Sequence, residues 1–291
     1  MTRIPHPSTP VELQSYRAPS CAVGPLVVKI GGALLESAEA YGAAFDGLVA
    51  LHGAHRARGG AGIVLVHGGG AQVDRQLNLV GVETPRIDGI RVTPREAIDQ
   101  VVGVLAGSVH VRLLGLLAAR GGAVVGLTLS DGGLCQCRHT TRYAFDAGEV
   151  GEITGGDGAI VHTLLKGGFL PVVNSIGLSA AGDPLNVNAD EAACAIARII
   201  DASGIVLLTD VAGVLDAERR LIAELDATRI EALIRDGTIS GGMIPKVRNA
   251  LEAAAAAGCP ATIASWRDAA GIIDGVGGTR IIASIAEAAH V

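Results

Sequence analysis

The sequence predicts an α/β protein in which a largely parallel β-sheet lies between layers of helices. Short apolar runs alternate with amphipathic segments along most of the chain, an order typical of consecutive βαβ units. The apolar runs, such as "GIVLV" and "GIVLLTD", are continuous rather than alternating, which indicates strands covered on both faces. With 291 residues, 49% of them hydrophobic, the chain is long enough to bury a large core.

Composition narrows the classes of function. The formal net charge is -6, whereas proteins that coat nucleic acid or anionic membranes present a basic face, so neither partner is expected. His110 and Arg112 interrupt the apolar residues 101–119, which therefore fall short of the about 18 uncharged residues of a membrane span. The five cysteines are odd in number and follow no secretory leader, which favours reduced thiols and the cytoplasm. Cys135 and Cys137 of "CQC" have no second pair of cysteines nearby, so we interpret them as residues that pack within a strand rather than as zinc ligands.

The sequence divides into an arm and two lobes. Residues 1–24 contain four prolines and predict an extended N-terminal arm. A change of composition at 177–185 predicts a boundary between an N-terminal lobe, residues 25–178, and a C-terminal lobe, residues 179–291. Residues 134–152 fit a projecting hairpin within the first lobe.

The first strand, "PLVVKI", ends in a lysine that two glycines follow. A lysine among apolar neighbours loses solvation unless an anion replaces it, and Lys29 at the strand end can face a cleft. Gly31 and Gly32 would let backbone N–H groups approach a phosphate. A lysine that reaches from the sheet edge into water is the alternative.

The second strand leads into "HGGGAQVDRQL", where three glycines precede a helix. Gly68, Gly69 and Gly70 leave backbone donors and the positive end of that helix open to an anion. "HGGG" also resembles the oxyanion segment of esterases. The chain contains no G-x-S-x-G nucleophile elbow, so a hydrolase is not favoured.

Three later segments place polar side chains at the start of predicted helices. In "GIRVTPRE", Arg91 suits a carboxylate, and a solvated loop arginine is the alternative. In "PLNVNADE", Asn186, Asn188 and Asp190 share one face of an extended segment, and helix capping explains Asn188 alone. In "GGMIPKVRN", Lys246 lies in a first helical turn, where a cation is unfavourable unless an anion lies between, the alternative being a lysine turned into water.

Six motifs occur in a fixed order: "KIGG", "HGGG", "GIRVTP", "PLNVNAD", "LLTDVAGVLD" and "GGMIPK". Each is weak alone, but together, over residues 25–291, they resemble the N-acetylglutamate kinases of the amino acid kinase family. A Walker P-loop differs, because its lysine follows the glycines, and no G-x-x-x-x-G-K-[ST] is present. The resemblance implies a three-layer αβα sandwich around a mainly parallel central sheet. It also implies that the N-terminal lobe binds the acid substrate and the C-terminal lobe binds ATP with Mg²⁺.

The resemblance further implies a reaction and its residues. The γ-phosphoryl group of ATP would pass to the side-chain carboxylate of N-acetyl-L-glutamate, giving an acyl phosphate in arginine biosynthesis. Lys29 and Lys246 match the lysines that stabilise the transferred group, and Asp190 matches the aspartate that organises them. The positions that match substrate-binding residues are Gly69, Gly70, Arg91, Asn186 and Asn188. The positions that match phosphate- and nucleotide-binding residues are Gly31, Gly32, Gly68, Asp210, Val211, Ala212, Gly213, Val214, Leu215, Thr238, Ile239, Ser240, Gly241, Gly242 and Met243; no residue is assigned to a metal.

Asp190 is expected to pair with both lysines rather than to act as a general base. The acceptor is a carboxylate with an ordinary pKa of about 4.3, so at neutral pH it has no proton to remove. A second carboxylate beside it would repel it unless cations lay between them.

Other members of the family are the main alternatives. Kinases of carrier-linked aminoadipate, aspartate, carbamate or uridylate share the fold, and a non-catalytic amino-acid sensor could keep a similar site. Both lysines are present, which favours an enzyme, and "NVNAD" is more similar to the acetylglutamate branch than to the aminoadipate branch. The family suggests a homodimer. Arginine-inhibited members carry an N-terminal helix that joins dimers into a hexamer, whereas the prolines of the arm exclude one long helix and the ending "GTRIIASIAEAAHV" resembles the insensitive form, so arginine inhibition is not expected.

Overall fold

A computed structural model describes residues 24–31, 42–87, 90–265, 272 and 277–283. Gly32 and almost all of the expected arm lie outside these described residues. The strands are β1 (Leu26–Ile30), β2 (Ile63–His67), β3 (Arg86–Ile87), β4 (Ile90–Arg91), β5 (Val124–Leu127), β6 (Gln136–His139), β7 (Val150–Gly155), β8 (Leu170–Asn174), β9 (Ile176–Leu178), β10 (Pro184–Val187), β11 (Gly204–Thr209), β12 (Glu224–Asp226), β13 (Ala261–Ser265) and β14 (Thr279–Ile282). The helices are α1 (Gly42–Ala57), α2 (Gly70–Leu79), α3 (Arg95–Val102), α4 (Val109–Ala118), α5 (Ala159–Lys166), α6 (Ala189–Ile199), α7 (Ala227–Arg235) and α8 (Met243–Ala257).

The central element is an eight-stranded sheet in the order β12-β14-β13-β11-β1-β2-β8-β5. Every neighbouring pair in it is parallel except β13 and β14. The predicted α/β class with a mainly parallel central sheet is therefore confirmed. β1 lies in the middle of the sheet between β11 and β2, which places the end of the "PLVVKI" run at its centre.

Helices cover both faces of this sheet because successive residues of each strand point to opposite sides. Val28 of β1 and Leu65 of β2 pack with apolar residues of α1, α2, α3 and α4 on one face. Val27 and Val64, one residue earlier, pack with α5 and α6 on the other face. A third cluster joins α7 and α8 to β13 and β14. These layers match the expected αβα sandwich.

The residues expected to form a hairpin do so. β6 and β7 pair antiparallel and belong to a separate four-stranded sheet, β6-β7-β10-β9. Cys135 and Cys137 are buried at its start, and burial raises the pKa of the Cys135 thiol to about 12, which agrees with strand packing. No group of three or more His, Cys, Asp and Glu among the described residues could hold a metal ion. Residues 177–185 comprise the end of β9, the connection at 179–183 and the start of β10, and the division into two lobes stays a prediction.

One helical run within the described residues, Arg95–Ala118, is long and apolar enough to cross a membrane by length and composition alone. It comprises α3, a π-helical turn (Gly103–Ser108) and α4. Its residues Val101, Leu105, Leu113 and Leu117 are buried in the cluster that covers the central sheet. In this fold the run therefore packs as a core helix on the same face of the central sheet as α1 and α2.

Candidate active site

Lys29 stands near the carboxyl end of β1, at the middle of the central sheet. Its register partners are Leu207 of β11 and Val66 of β2. Lys29 is two residues from Val27 and so faces the layer of α6, where its Nζ lies 2.9 Å from Oδ1 of Asp190. The lysine is thus held by a carboxylate at the edge of a cleft, and the expected Lys29–Asp190 ion pair is present.

Asp190 belongs to the first turn of α6, whose start is fixed by a side-chain cap. Asn188 is the N-cap residue, and its Oδ1 accepts hydrogen bonds from the N–H groups of Asp190, at 2.8 Å, and Glu191, at 3.3 Å. Such a cap satisfies donors that otherwise have no intrahelical partner. The capping function expected for Asn188 is therefore observed, and it fixes the position from which Asp190 reaches Lys29.

The three glycines after β2 form the neighbouring wall. α2 begins at Gly70, with Gly69 as its N-cap. A methyl group on Gly69 would lie 2.9 Å from Leu105 Cδ2, and one on Gly68 would lie 3.1 Å from the side chain of Ala189. Side chains at these two positions would push the loop away from Leu105 and from Ala189 of α6. Because both residues are glycine, the backbone of the loop can lie next to the start of α6.

Arg91 is a buried arginine rather than a solvated one, with 7% of its surface exposed. It forms an ion pair with Asp74 of α2 and donates to Thr84 Oγ1, at 2.7 Å, and to the carbonyl of Gly70, at 3.1 Å. Partial burial opposes ionisation of Asp74, but hydrogen bonds from Arg91 and Arg86 hold the pKa of that carboxyl below its usual value. The guanidinium is oriented before any ligand arrives.

Asn186 and the hairpin complete the polar wall. The side-chain amide of Asn186 donates to Thr93 Oγ1 at 3.0 Å, which ties β10 to the segment before α3. Arg142, in the β6–β7 connection, forms ion pairs with Glu152 at 2.9 Å and with Glu191 of α6 at 3.1 Å. These contacts hold the hairpin, including Tyr143, against the start of α6.

A single cavity of about 250 Å³ collects most of the residues predicted from the first motifs. Those that line it are Lys29, Gly31, Gly68, Gly69, Gly70, Arg91, Asn186, Asn188 and Asp190. It is lined by the cationic side chains of Lys29, Arg86 and Arg91 together with the three glycines. Several cationic side chains around one small cavity suit a molecule with anionic groups.

Lys246 does not pair with Asp190 as the sequence suggested. It lies in the first turn of α8, as predicted, but its Nζ is 2.6 Å from Oδ1 of Asp210, which follows β11. Lys246 is also not part of the cavity lining. Because β11 and β1 are neighbours in the sheet, the two lysine–aspartate pairs stand at adjacent strand ends, each lysine with its own carboxylate.

The two predicted nucleotide segments flank this second pair. Residues 210–215 follow β11, and residues 238–243 lead into α8. Val214 and Ile239 are each 1% exposed and pack in the third apolar cluster. Their side chains therefore serve the core, and a nucleotide could meet only the backbone at these two positions.

Comparison with known proteins agrees with this arrangement. The model of the amino acid kinase family matches residues 24–265, which is most of the chain. The chain belongs to the amino acid kinase family. An acetylglutamate kinase of Pectobacterium carotovorum is 44% identical over 267 residues, covering 90% of this chain and all of that protein.

Two solved structures share the fold. The N-acetylglutamate synthase of Neisseria gonorrhoeae, in complex with coenzyme A and N-acetyl-glutamate, has a TM-score of 0.70 at 23% identity, covering 90% of this chain and 60% of that one. The carbamate kinase of Giardia lamblia bound to AMP-PNP has a TM-score of 0.60 at 19% identity, covering 91% of this chain and all of that one. At these identities the likeness concerns the fold alone.

Sequence reasoning missed several residues of this amino acid kinase site. The structure adds cavity-lining residues that the motifs did not indicate, among them Arg86, Leu105, Tyr143, Ser175 and Glu191. Asp74, which holds Arg91, lies four residues into α2 and could have been suspected from the "HGGGAQVD" spacing. Leu105 and Tyr143 carry no local signal, because only the packing of distant segments brings them to the cavity.

Proposed function

We propose that this amino acid kinase transfers the γ-phosphoryl group of ATP to the side-chain carboxylate of N-acetyl-L-glutamate, in arginine biosynthesis. The observation that carries the proposal is one cavity lined both by Lys29, paired with Asp190, and by the oriented Arg91, two cations that could each bind an anionic group. N-acetylglutamate has two carboxylates. The 44% identity to an acetylglutamate kinase over 90% of the chain supports the same substrate.

The reaction forms a bond between a side-chain carboxylate oxygen and the γ-phosphorus and breaks the bond from that phosphorus to the β,γ-bridging oxygen. The products are an acyl phosphate and ADP. Phosphoryl transfer asks the protein chiefly to position the reactants and to stabilise spreading negative charge. Lys29 and the N–H groups of the glycine loop would do so on the acid side of the transferred group, and Lys246 on the nucleotide side.

Arg91 would bind the α-carboxylate, together with Asn186. Arg91 is already held by Asp74, Thr84 and the Gly70 carbonyl, so binding costs little side-chain ordering. Asn188 uses its Oδ1 as the helix cap, which leaves its amide N–H groups to donate to substrate. Gly69 and Gly70 would approach the same ligand with their backbone.

ATP would occupy the C-terminal lobe, against residues 210–215 and 238–243, with Gly31, Gly32 and Gly68 near its phosphates. Lys246 would leave Asp210 for the phosphoryl group. Mg²⁺ would enter with the nucleotide and neutralise phosphate charge. Mg²⁺ in kinases is commonly bound by substrate phosphates, several waters and one or two carboxylates. Asp190 and Asp210 are engaged by lysines, so phosphate oxygens and water would be its main ligands here.

The remaining proposals concern the whole protein. We propose two lobes, residues 25–178 for the acid and 179–291 for the nucleotide, in a cytoplasmic enzyme that binds neither nucleic acid nor membrane. Two features support a homodimer. β5 is an edge strand of the central sheet, and Leu79 of α2 and Val111 of α4, two helices that cover the same face of that sheet, expose apolar side chains. The prolines of the arm support an enzyme that arginine does not inhibit.

An ATP-consumption assay over a panel of acids tests the main proposal. The panel contains N-acetylglutamate, N-acetylaspartate, glutamate, aspartate, aminoadipate and carbamate. N-acetylglutamate should give the highest kcat/KM, with a hydroxylamine-trappable acyl phosphate as product. A higher kcat/KM for another acid would reassign the substrate, and no turnover with any acid would favour a sensor.

Arginine sensitivity is tested separately with the purified wild type. Millimolar arginine should leave the rate unchanged, and light scattering should give the mass of a dimer. A sigmoidal inhibition curve or the mass of a hexamer would contradict the interpretation of residues 1–24.

A further inference from the structure

Two buried histidines lie beside the glycine loop. His67, the last residue of β2, is fully buried, and His110 of α4 is 6% exposed. His67 Nε2 is 2.8 Å from His110 Nδ1, and His67 Nδ1 is 2.9 Å from the carbonyl oxygen of Gly68. Neither histidine lines the cavity, whereas Gly68 and the two glycines after it do. The pair therefore contacts the loop from outside the cavity lining.

The hydrogen-bond partners fix which nitrogen carries each proton. The Gly68 carbonyl can only accept, so His67 Nδ1 must donate to it. His67 Nε2 is then the acceptor of the neutral ring, and His110 Nδ1 must donate to that nitrogen. Burial lowers the pKa of both histidines, that of His67 to about 4, so both rings are neutral at physiological pH.

The orientation of one peptide group follows from this chain of donors. In a trans peptide the C=O of one residue and the N–H of the next point in opposite directions. The Gly68 carbonyl accepts from His67, which does not line the cavity, so the Gly69 N–H of the same peptide is directed away from His67, and Gly69 itself lines the cavity. Among the described residues, no backbone hydrogen bond is donated by Gly69.

The His110 ring is packed closely against Gly126 of β5. A methyl group on Gly126 of β5 would lie 2.3 Å from His110 Nε2, so a side chain at that position would displace the His110 ring. The π-helical turn Gly103–Ser108 immediately precedes α4 and also supplies Leu105, the side chain that backs Gly69. One segment therefore supports the glycine loop at two points.

We propose that His110, acting through His67, is a positioning residue that holds the Gly68–Gly69 peptide with its N–H directed at the oxygens of the transferred phosphoryl group. The part that concerns the phosphoryl group rests on the proposed function. A fixed donor of this kind acts where negative charge develops in the transition state, so its loss lowers kcat more than it raises KM.

Matched substitutions of His110 test the hydrogen bond separately from the volume. His110→Asn keeps a donor, because the side-chain amide nitrogen of asparagine lies as many bonds from Cβ as histidine Nδ1. His110→Leu fills similar space without a donor. We expect His110→Leu to lower kcat by roughly tenfold to a hundredfold, with the KM values for acid and ATP changed by less than about threefold. His110→Asn should retain kcat within about threefold of the wild type.

His52→Leu is the control for loss of a buried histidine. His52, on α1, is 8% exposed, and its Nδ1 accepts from the N–H of Ile63 at the opposite end of the same strand. This variant should lose stability comparably and keep its kcat. If His110→Leu and His52→Leu have the same kcat, the proposal is overturned, because a general loss of packing would then explain both.

Nitrogen-15 NMR of the histidine rings gives a readout that needs no turnover. His67 should be the Nδ1–H tautomer in the wild type and in His110→Asn, and a mixture of tautomers in His110→Leu, with a change in the Gly69 amide resonance. An unchanged tautomer and Gly69 resonance in His110→Leu would overturn the proposal. If the wild type phosphorylated no acid, the proposed function would fail, while these spectra would still decide the orientation of the peptide.

Discussion

Each lysine of the site faces its own aspartate, and each pair is open to solvent on the carboxylate side. The Asp190 side chain is 61% exposed and that of Asp210 is 71% exposed. Ion pairs with so much solvent contribute on the order of 1 kcal/mol or less to stability. These pairs therefore matter chiefly because they position the two ammonium groups. An arriving anion can displace either aspartate from its lysine with little loss of free energy.

Asp190→Asn should lower kcat by orders of magnitude, because the amide loses the charge that orients Lys29, while thermal unfolding should change little. The wild type should show no solvent isotope effect on single-turnover phosphoryl transfer, since an ionised acceptor gives up no proton. A large isotope effect that disappears in Asp190→Asn would show instead that Asp190 moves a proton and that the acceptor is not a simple carboxylate.

Arg91→Ala should raise the KM for the acid at least tenfold and change kcat much less. The contact with a remote carboxylate is similar in the ground and transition states, so it contributes uniform binding. Arg95→Ala is the control, because the Arg95 side chain is 72% exposed and does not line the cavity. Steady-state kinetics with varied acid and varied ATP distinguish the two variants, and an effect of Arg91→Ala on ATP alone would refute its assignment.

At the level of elements, the start of α6 connects a helix cap that is set by the local sequence to the proposed catalytic Lys29. The Asn188 cap fixes the first turn, that turn carries Asp190, and Asp190 reaches Lys29 on the central strand. The hairpin is tied to the same turn through Arg142 and Glu191. Small changes in this turn should therefore reach the site although they remove no catalytic group.

Asn188→Ala should cost about 1 kcal/mol of unfolding free energy, the usual contribution of a side-chain cap. It should raise the KM for the acid, because the amide donor to substrate is lost, and lower kcat, because the turn that carries Asp190 shifts. Asp226→Ala removes the equivalent cap of α7, where the carboxylate accepts from the Arg229 N–H at 2.7 Å. That control should lose similar stability and keep its activity. Urea unfolding together with kcat for both variants makes the comparison, and equal activities would show that the α6 cap is only structural.

At the level of the whole molecule, buried histidines should set how stability depends on pH. Burial lowers the pKa values of His52 and His67 to about 4, against an ordinary value near 6.5 in the unfolded chain. Between these values the unfolded state binds more protons than the folded state. Stability from these groups is therefore complete above pH 6.5 and is lost as the pH falls toward 4.

Urea unfolding at pH 7.5, 6.5, 5.5 and 5.0 should show a loss of up to about 1.4 kcal/mol per pH unit for each such histidine. The carboxyls of Asp74 and Glu152, whose pKa values are lowered, contribute little change above pH 5. His52→Asn should flatten the profile. A free energy of unfolding that stays constant from pH 7.5 to 5.0 would contradict the prediction.

The sequence by itself determined the features that depend on neighbouring residues. Continuous apolar runs fixed the parallel sheet, because a strand covered on both faces needs apolar side chains in both directions. Lys29 at a strand end, glycines before α2 and polar residues before α6 were recognisable because strand ends and helix starts are local. The αβα class and most of the cavity lining followed from these motifs and their order.

Tertiary structure decided which of those residues meet. Lys246 pairs with Asp210 rather than Asp190, since the partner depends on how α8 lies against β11 and not on any spacing in the sequence. Arg91 is buried because α2 brings Asp74 to it. In the sequence, His110 is recognisable only as an interruption of an apolar run. The packing of α4 on the sheet places it in contact with His67, 43 residues away in the chain. Such contacts join segments that are distant in sequence, and only the packing of the helix layers on the sheet specifies them.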